Sequence, residues 1–288
     1  MNLKILHLYC TFESVLKYNK LQLSTMKIIT KQNKSILREM VSTDFKVRYQ
    51  GSALGYLWSL LRPLLLFAIL YVVFVYVFKL NKGVSHYGVY LLLGIVLWTF
   101  FMETTVIGMS SVVNKGDLIR KISIPRYLVV VSGSISALIN LGFNLIVVLL
   151  FILINGVEPS ITWLLIIPVL IELYVFSLAV AFILAAFYVK FRDVVFVWEV
   201  AIQAGFYATP ILYSLSLVPE KFRVYVFINP LAQIIQDARY SLITNKAIIS
   251  WNTLRFRYAI IPVIIVLAVS VFSLLYFKKQ SKNFAENI

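Results

Sequence analysis

Six apolar runs dominate the sequence, each long enough to be threaded through a hydrocarbon core: residues 54–78, 90–113, 127–154, 161–189, 194–213 and 258–277. A helix that crosses a bilayer needs about 20 mainly apolar residues, and inside lipid it must satisfy its own backbone N–H and C=O groups. The runs therefore point to an all-α polytopic membrane protein with six transmembrane helices. Composition agrees, at 61% hydrophobic and only 14% charged residues, where a soluble domain carries about 45–50% and about 25%. A water-soluble globule and a disordered chain are both excluded on these grounds. The third run is long, reaching about 42 Å as a helix.

Six crossings put both termini on one side. Eighteen Lys and Arg fall in the N-terminal tail, the second-to-third and fourth-to-fifth loops and the C-terminal tail, against eight in the three opposite loops. The positive-inside rule places both termini in the cytoplasm. The net charge of +15 is thereby read as topology near anionic lipid rather than as a nucleic-acid surface. No short apolar run with a small-residue cleavage site opens the chain, so no removable signal peptide is expected. One cysteine, Cys10, permits no intrachain disulfide, and two histidines with one thiol argue against a metal centre.

Four regions follow: a cytoplasmic N-terminal extension (1–30), a basic amphipathic segment (31–53), the transmembrane domain (54–277) and a cytoplasmic tail (278–288). In the second region Leu37, Met40, Val41 and Phe45 recur at helical spacing among cations. That pattern fits an interfacial helix lying in the headgroups, or a short cytosolic helix with a solvated face. Between the last two runs, residues 222–228 and 231–235 are apolar but too short to cross, and Asn229-Pro230 separates them. Leu231, Ile234, Ile235, Ala238 and Leu242 share one helical face. A re-entrant helix pair in the outer leaflet is expected here, with an ordinary extracellular loop as the other possibility. Gly51 and Gly55 form a GxxxG pair, read as close packing where the amphipathic helix meets the first span. In the third span Ser132, Ser136, Asn140 and Asn144 make a small and polar stripe that suits helix–helix packing.

No phosphate loop, HExxH motif or nucleophile elbow is present, so no catalytic residues are assigned and the chain is read as a non-enzyme. Transport against a gradient would need energy from a partner or from ions.

The segment Ser52-Ala-Leu-Gly55-Tyr-Leu-Trp58-Ser-Leu-Leu-Arg62-Pro63 lies just after the amphipathic helix. With Lys190-Phe-Arg192-Asp193, Thr209-Pro210-Ile211-Leu-Tyr213 and Asn229-Pro230, in this order over residues 36–277, it resembles the membrane subunits of ABC-2 type exporters. The likeness is strongest to the branch that exports lipid-linked polysaccharides such as O-antigen, capsule and wall teichoic acid. The resemblance implies a homodimer in the bacterial plasma (inner) membrane, driven by two copies of a separate ABC ATPase that binds ATP and Mg. The cargo it implies is an undecaprenyl-type lipid-linked glycan, with O-antigen or capsule ahead of teichoic acid. The different alternative is a proton-coupled secondary transporter that uses the intramembrane acids Glu103 and Glu172.

Three sets of site residues are expected. The loop between spans two and three, with Asp117, Leu118, Ile119, Arg120 and Ile122, has the apolar surface of a docking site and corresponds to the family's ATPase-coupling helix. A tight turn dipping into the headgroups fits the same residues. The translocation path is assigned to Phe67, Tyr71, Phe74 and Phe78 on one face of span one and to Glu199, Gln203, Phe206 and Tyr213 on span five. Rings pack on sugar C–H faces while amide and hydroxyl groups hydrogen-bond, although stripes of this kind also serve ordinary packing. Arg38, Lys46, Arg48 and Arg62 gather at the inner interface and are assigned to a lipid pyrophosphate headgroup. Anchoring to anionic membrane lipids fits them equally.

Overall fold

A computed structural model describes residues 31–52, 54–79, 84–121, 124–244, 247, 249 and 260–284. The N-terminal extension and Ile122 lie outside the described residues. Helix α1 is Lys31–Tyr49. Helix α2, Leu57–Val72, runs on through a π turn at Val73–Val77. Then follow α3 (Tyr87–Asn114), the six-residue α4 (Gly116–Lys121) and α5 (Tyr127–Ile154). A 3-10 turn, Ile161–Leu165, leads into α6 (Ile166–Lys190), and α7 is Val194–Ala208. Two short helices, α8 (Glu220–Ile228) and α9 (Pro230–Leu242), precede α10 (Ile261–Gln280). Among the described residues every regular element is helical.

Among the described residues five helices are long and apolar enough to cross a membrane: Leu57–Val77, Tyr87–Asn114, Tyr127–Ile154, Ile161–Lys190 and Ile261–Gln280. The fifth expected run behaves differently. Its helix stops after 15 residues at Ala208, because Thr209 turns extended and Pro210 has no N–H to continue the ladder.

Helix α3 is the centre of the bundle and is buried on nearly all sides, from Val89 to Val112. Small residues set its distance to its neighbours. A Cβ on Gly108 would stand 2.6 Å from Ala181 Cβ of α6, and one on Gly133 of α5 would stand 2.7 Å from Ile107 Cγ2. Removing side chains at these points lets the backbones approach closely, as in membrane packing generally. At one end of the bundle Phe182, Phe277 and Phe284 pack together, with the Phe182 and Phe277 rings edge-on at 4.8 Å.

The polar stripe of α5 turns entirely inward. Ser132, Ser136, Asn140 and Asn144 are buried, and Asn144 Nδ2 donates to the Ser59 carbonyl at 3.2 Å. That carbonyl is the acceptor that Pro63, four residues on and inside α2, cannot serve. The amide of one span thus supplies the donor that proline removes from another. The GxxxG pair acts otherwise than as packing. Gly51 and Gly55 have φ of +76° and +50° and no atom within 4 Å of a Cβ position, so they are turn residues joining α1 to α2.

Helix α1 packs along the flank of α5 instead of standing apart from the bundle. Asn33 Nδ2 donates to the Tyr127 hydroxyl, Lys115 Nζ and the Ser132 hydroxyl both donate to Asp44 Oδ2, and Arg48 reaches Glu103 in the middle of α3.

Candidate functional site

Helix α7 is apolar apart from Glu199 and Gln203, and it is seated on the bundle by one edge only. Trp198 Nε1 donates to Thr105 Oγ1 at 3.2 Å, Ile202 is buried, and Phe206 meets Trp98 edge-on at 5.9 Å. A Cβ on Gly205 would lie 2.9 Å from the Trp98 ring, so the helix rides on that indole. The other faces carry Phe196, Val197, Val200 and Tyr207, all exposed, with Glu199 and Gln203 exposed among them. The expected continuous face therefore divides. Glu199 and Gln203 stay open, Phe206 packs inward, and Tyr213 lies beyond the helix with its hydroxyl donating to the Ala208 carbonyl at 3.2 Å. An exposed carboxylate and amide on an apolar helix are costly against lipid, so this face suits water, polar cargo or another protein surface.

Helix α2 is bound even more lightly, with only Pro63 fully buried. Its aromatic stripe is what does the binding. Phe67 meets Phe151 edge-on at 5.6 Å, and a Cβ on Gly88 would lie 3.2 Å from the Tyr71 ring. Phe67, Tyr71 and Phe74 pack against the core, while Phe78 is exposed just beyond the π turn. The open face of α2 carries Leu65, Leu66, Ile69, Val72 and Tyr76 instead.

The four cations assigned to a headgroup are not equivalent. Arg48 is ion-paired with Glu103, whose same oxygen also accepts from Asn140 Nδ2 at 2.7 Å. Arg38, Lys46 and Arg62 are exposed. Arg48 is exposed as well, but its guanidinium is committed to a polar contact between α1, α3 and α5, which leaves three cations open to an anionic ligand. The second intramembrane acid stands in a separate network. Glu172 Oε2 accepts from Gln233 Nε2 at 3.3 Å, and Gln233 Nε2 also donates to Asp237 Oδ2 at 2.6 Å. Burial pushes the Asp237 carboxyl up to about 6.

At the opposite end, α4 presents Asp117 in its first turn and Arg120 and Lys121 in its last, all exposed. This order complements the helix dipole. Leu118 is half-buried and Ile119 packs on the buried apolar cluster that contains Val112, Phe182, Phe277 and Phe284.

Sequence reasoning missed Arg239. Among the described residues it is the largest fully buried side chain and has no carboxylate partner. Its Nη1 donates to Pro210 O at 2.6 Å, its Nη2 to Ile211 O at 2.9 Å and Tyr90 O at 3.1 Å, and its Nε to Tyr90 O at 3.2 Å. The guanidinium carbon stands 3.3 Å from the centre of the Tyr90 ring. A signal was available: Arg239 follows Leu231 and Ile235 by eight and four residues, on the apolar face of α9. Next to it Asn229 Nδ2 donates to Thr209 Oγ1 at 3.0 Å, and Asn229 Oδ1 caps α9 by accepting from Leu231 N. The Thr-Pro and Asn-Pro motifs, 20 residues apart, are one contact in space.

Among the described residues no group of three His, Cys, Asp or Glu side chains is placed to hold a metal ion. Residues 36–243 match the family described as ABC-2 type transporter. Two O-antigen export system permease proteins RfbA of Klebsiella pneumoniae are 31% and 30% identical over 252 residues, covering 87% of this chain and 94% of each relative. A protein of the same designation from Myxococcus xanthus is 30% identical over 192 residues, 66% of this chain and 72% of the relative.

Proposed function

Since the chain belongs to the ABC-2 type transporter membrane family, we propose that it is the permease of an ATP-driven exporter that moves a lipid-linked polysaccharide of the O-antigen type outward across the bacterial inner membrane. It crosses the membrane six times with both termini in the cytoplasm, the fifth crossing being α7 completed by residues 209–213. Two copies pair through the faces that α2 and α7 leave open, and two copies of a separate ABC ATPase dock on α4. The cargo headgroup meets Arg38, Lys46 and Arg62 at the inner interface, and the sugar chain runs along Glu199 and Gln203.

The observation that carries this reading is the open face of α7. A lone subunit surrounded by lipid would hold Glu199 and Gln203 in hydrocarbon, at a cost of about 2.5–3.5 kcal/mol for the acid alone. A second copy with a wet path between the two removes that cost. The names of the relatives supply the cargo class.

The test is ATP-dependent appearance of glycan at the outer face of inner-membrane vesicles that contain the chain and its cognate ATPase. Glu199→Leu with Gln203→Leu should abolish it while the complex still assembles and hydrolyses ATP. Undiminished export by the double variant would refute the path. Export that persists without the ATPase would refute the class.

A further inference from the structure

Where α7 ends, four consecutive carbonyls are left without helical partners, and each is taken by a side chain from another element. Pro210 O and Ile211 O accept from Arg239 of α9. Leu212 O accepts from the Tyr87 hydroxyl at 2.6 Å, and Tyr213 O from the Tyr90 hydroxyl at 3.3 Å, both from the first turn of α3. Arg239 also grips the Tyr90 carbonyl, so one guanidinium bonds to both partners of the joint. Gly94 makes room for it, because a Cβ there would stand 2.7 Å from Nη2.

A buried charge bonded only to carbonyl dipoles and one ring is an expensive way to fill a core. Its five donors in a rigid plane are what a lysine or an apolar residue cannot reproduce. We propose that Arg239 is a positioning residue for transport: with Tyr87 and Tyr90 it clamps residues 210–213, so that the end of α7, the α8–α9 pair and the outer end of α3 move as one body. Displacement of span five at its inner end is then delivered to the outer mouth without loss. This rests on the transport reading above for its consequence, and on the geometry alone for the clamp.

The experiment uses the permease with its ATPase in proteoliposomes, in a Cys10→Ser background with Thr209→Cys and Asn229→Cys bridged by a disulfide across their present 3.0 Å contact. If the two segments travel together, the bridge leaves glycan export within twofold of the unbridged protein. Arg239→Met should lower glycan moved per ATP at least tenfold with basal hydrolysis within twofold, Arg239→Lys should recover only part of this, and the bridge should restore the Met variant. Export abolished by the bridge, or unchanged coupling in Arg239→Met, overturns the proposal. If Arg239→Met fails to insert, Tyr87→Phe with Tyr90→Phe is held to the same outcomes. The rate of disulfide formation reads the clamp without any cargo: it should slow severalfold in Arg239→Met, and an unchanged rate overturns the clamp even where export itself fails to appear.

Discussion

Replacing Arg48 by Met should cost the fold about 2 kcal/mol, and replacing Glu103 by Gln in the same chain should return most of it. Removing one partner of a buried ion pair typically costs about 3–5 kcal/mol, because the other charge is left uncompensated. Two features reduce that figure here. The side chains of Arg48 and Glu103 retain 29% and 22% of their exposure, and Asn140 goes on donating to the carboxylate at 2.7 Å. The double variant carries no charge at the contact, and the new side-chain amide oxygen can still accept from Asn140, so its cost should fall to about 0.5–1 kcal/mol. The coupling between the two sites is then of order 1 kcal/mol or more. Reversible unfolding in mixed detergent micelles, with the two single variants and the double, measures it. Additive single effects, or an Arg48→Met cost under about 0.5 kcal/mol, would show that α1 is not held by this pair and that Arg48 is free for a headgroup after all.

Three further outcomes are expected. Asn144→Ala should destabilise by about 1–2 kcal/mol by orphaning the Ser59 carbonyl, and Pro63→Ala in the same chain should repair it, since an alanine N–H restores the helical bond; the same unfolding assay decides. Gly108→Val should cost about 1–3 kcal/mol by forcing α3 and α6 apart at Ala181, with partial relief from Ala181→Gly. Burial raises the Asp237 carboxyl from 3.8 to about 6, so between those values the folded protein binds more protons than the unfolded chain. Stability should therefore decline as pH rises through that window. Asp237→Asn should flatten that slope, and thermal unfolding at pH 4 to 7 follows it.

The helices were legible because lipid imposes length and polarity rules on every crossing. Residues 127–154 coincide with α5, and the other long runs shift by only a few residues at their ends. The break at Asn229-Pro230 and the apolar face of α9 were legible too, from proline chemistry and a 3.6-residue period. Periodicity did not say which side of a stripe meets protein. Phe67 and Tyr71 share a face with Phe74 whether that face lines a path or binds α5 and α3, and the structure gives the second placement. Pairings across 55 residues, such as Arg48 with Glu103, depend on tertiary packing that spacing cannot encode. Arg239 was hidden for a related reason. Counting loop cations for topology treats an arginine as a solvated charge, whereas this one is consumed by backbone carbonyls.

The 15 residues of α7 measure about 22 Å along the axis, some 8 Å less than a hydrocarbon layer about 30 Å thick. Such a mismatch is relieved by local thinning of the bilayer or by water reaching the helix ends. In the proposed exporter the oily barrier would be thinner beside α7, and a sugar chain following that helix would have a shorter dry stretch to cross than along the five longer helices.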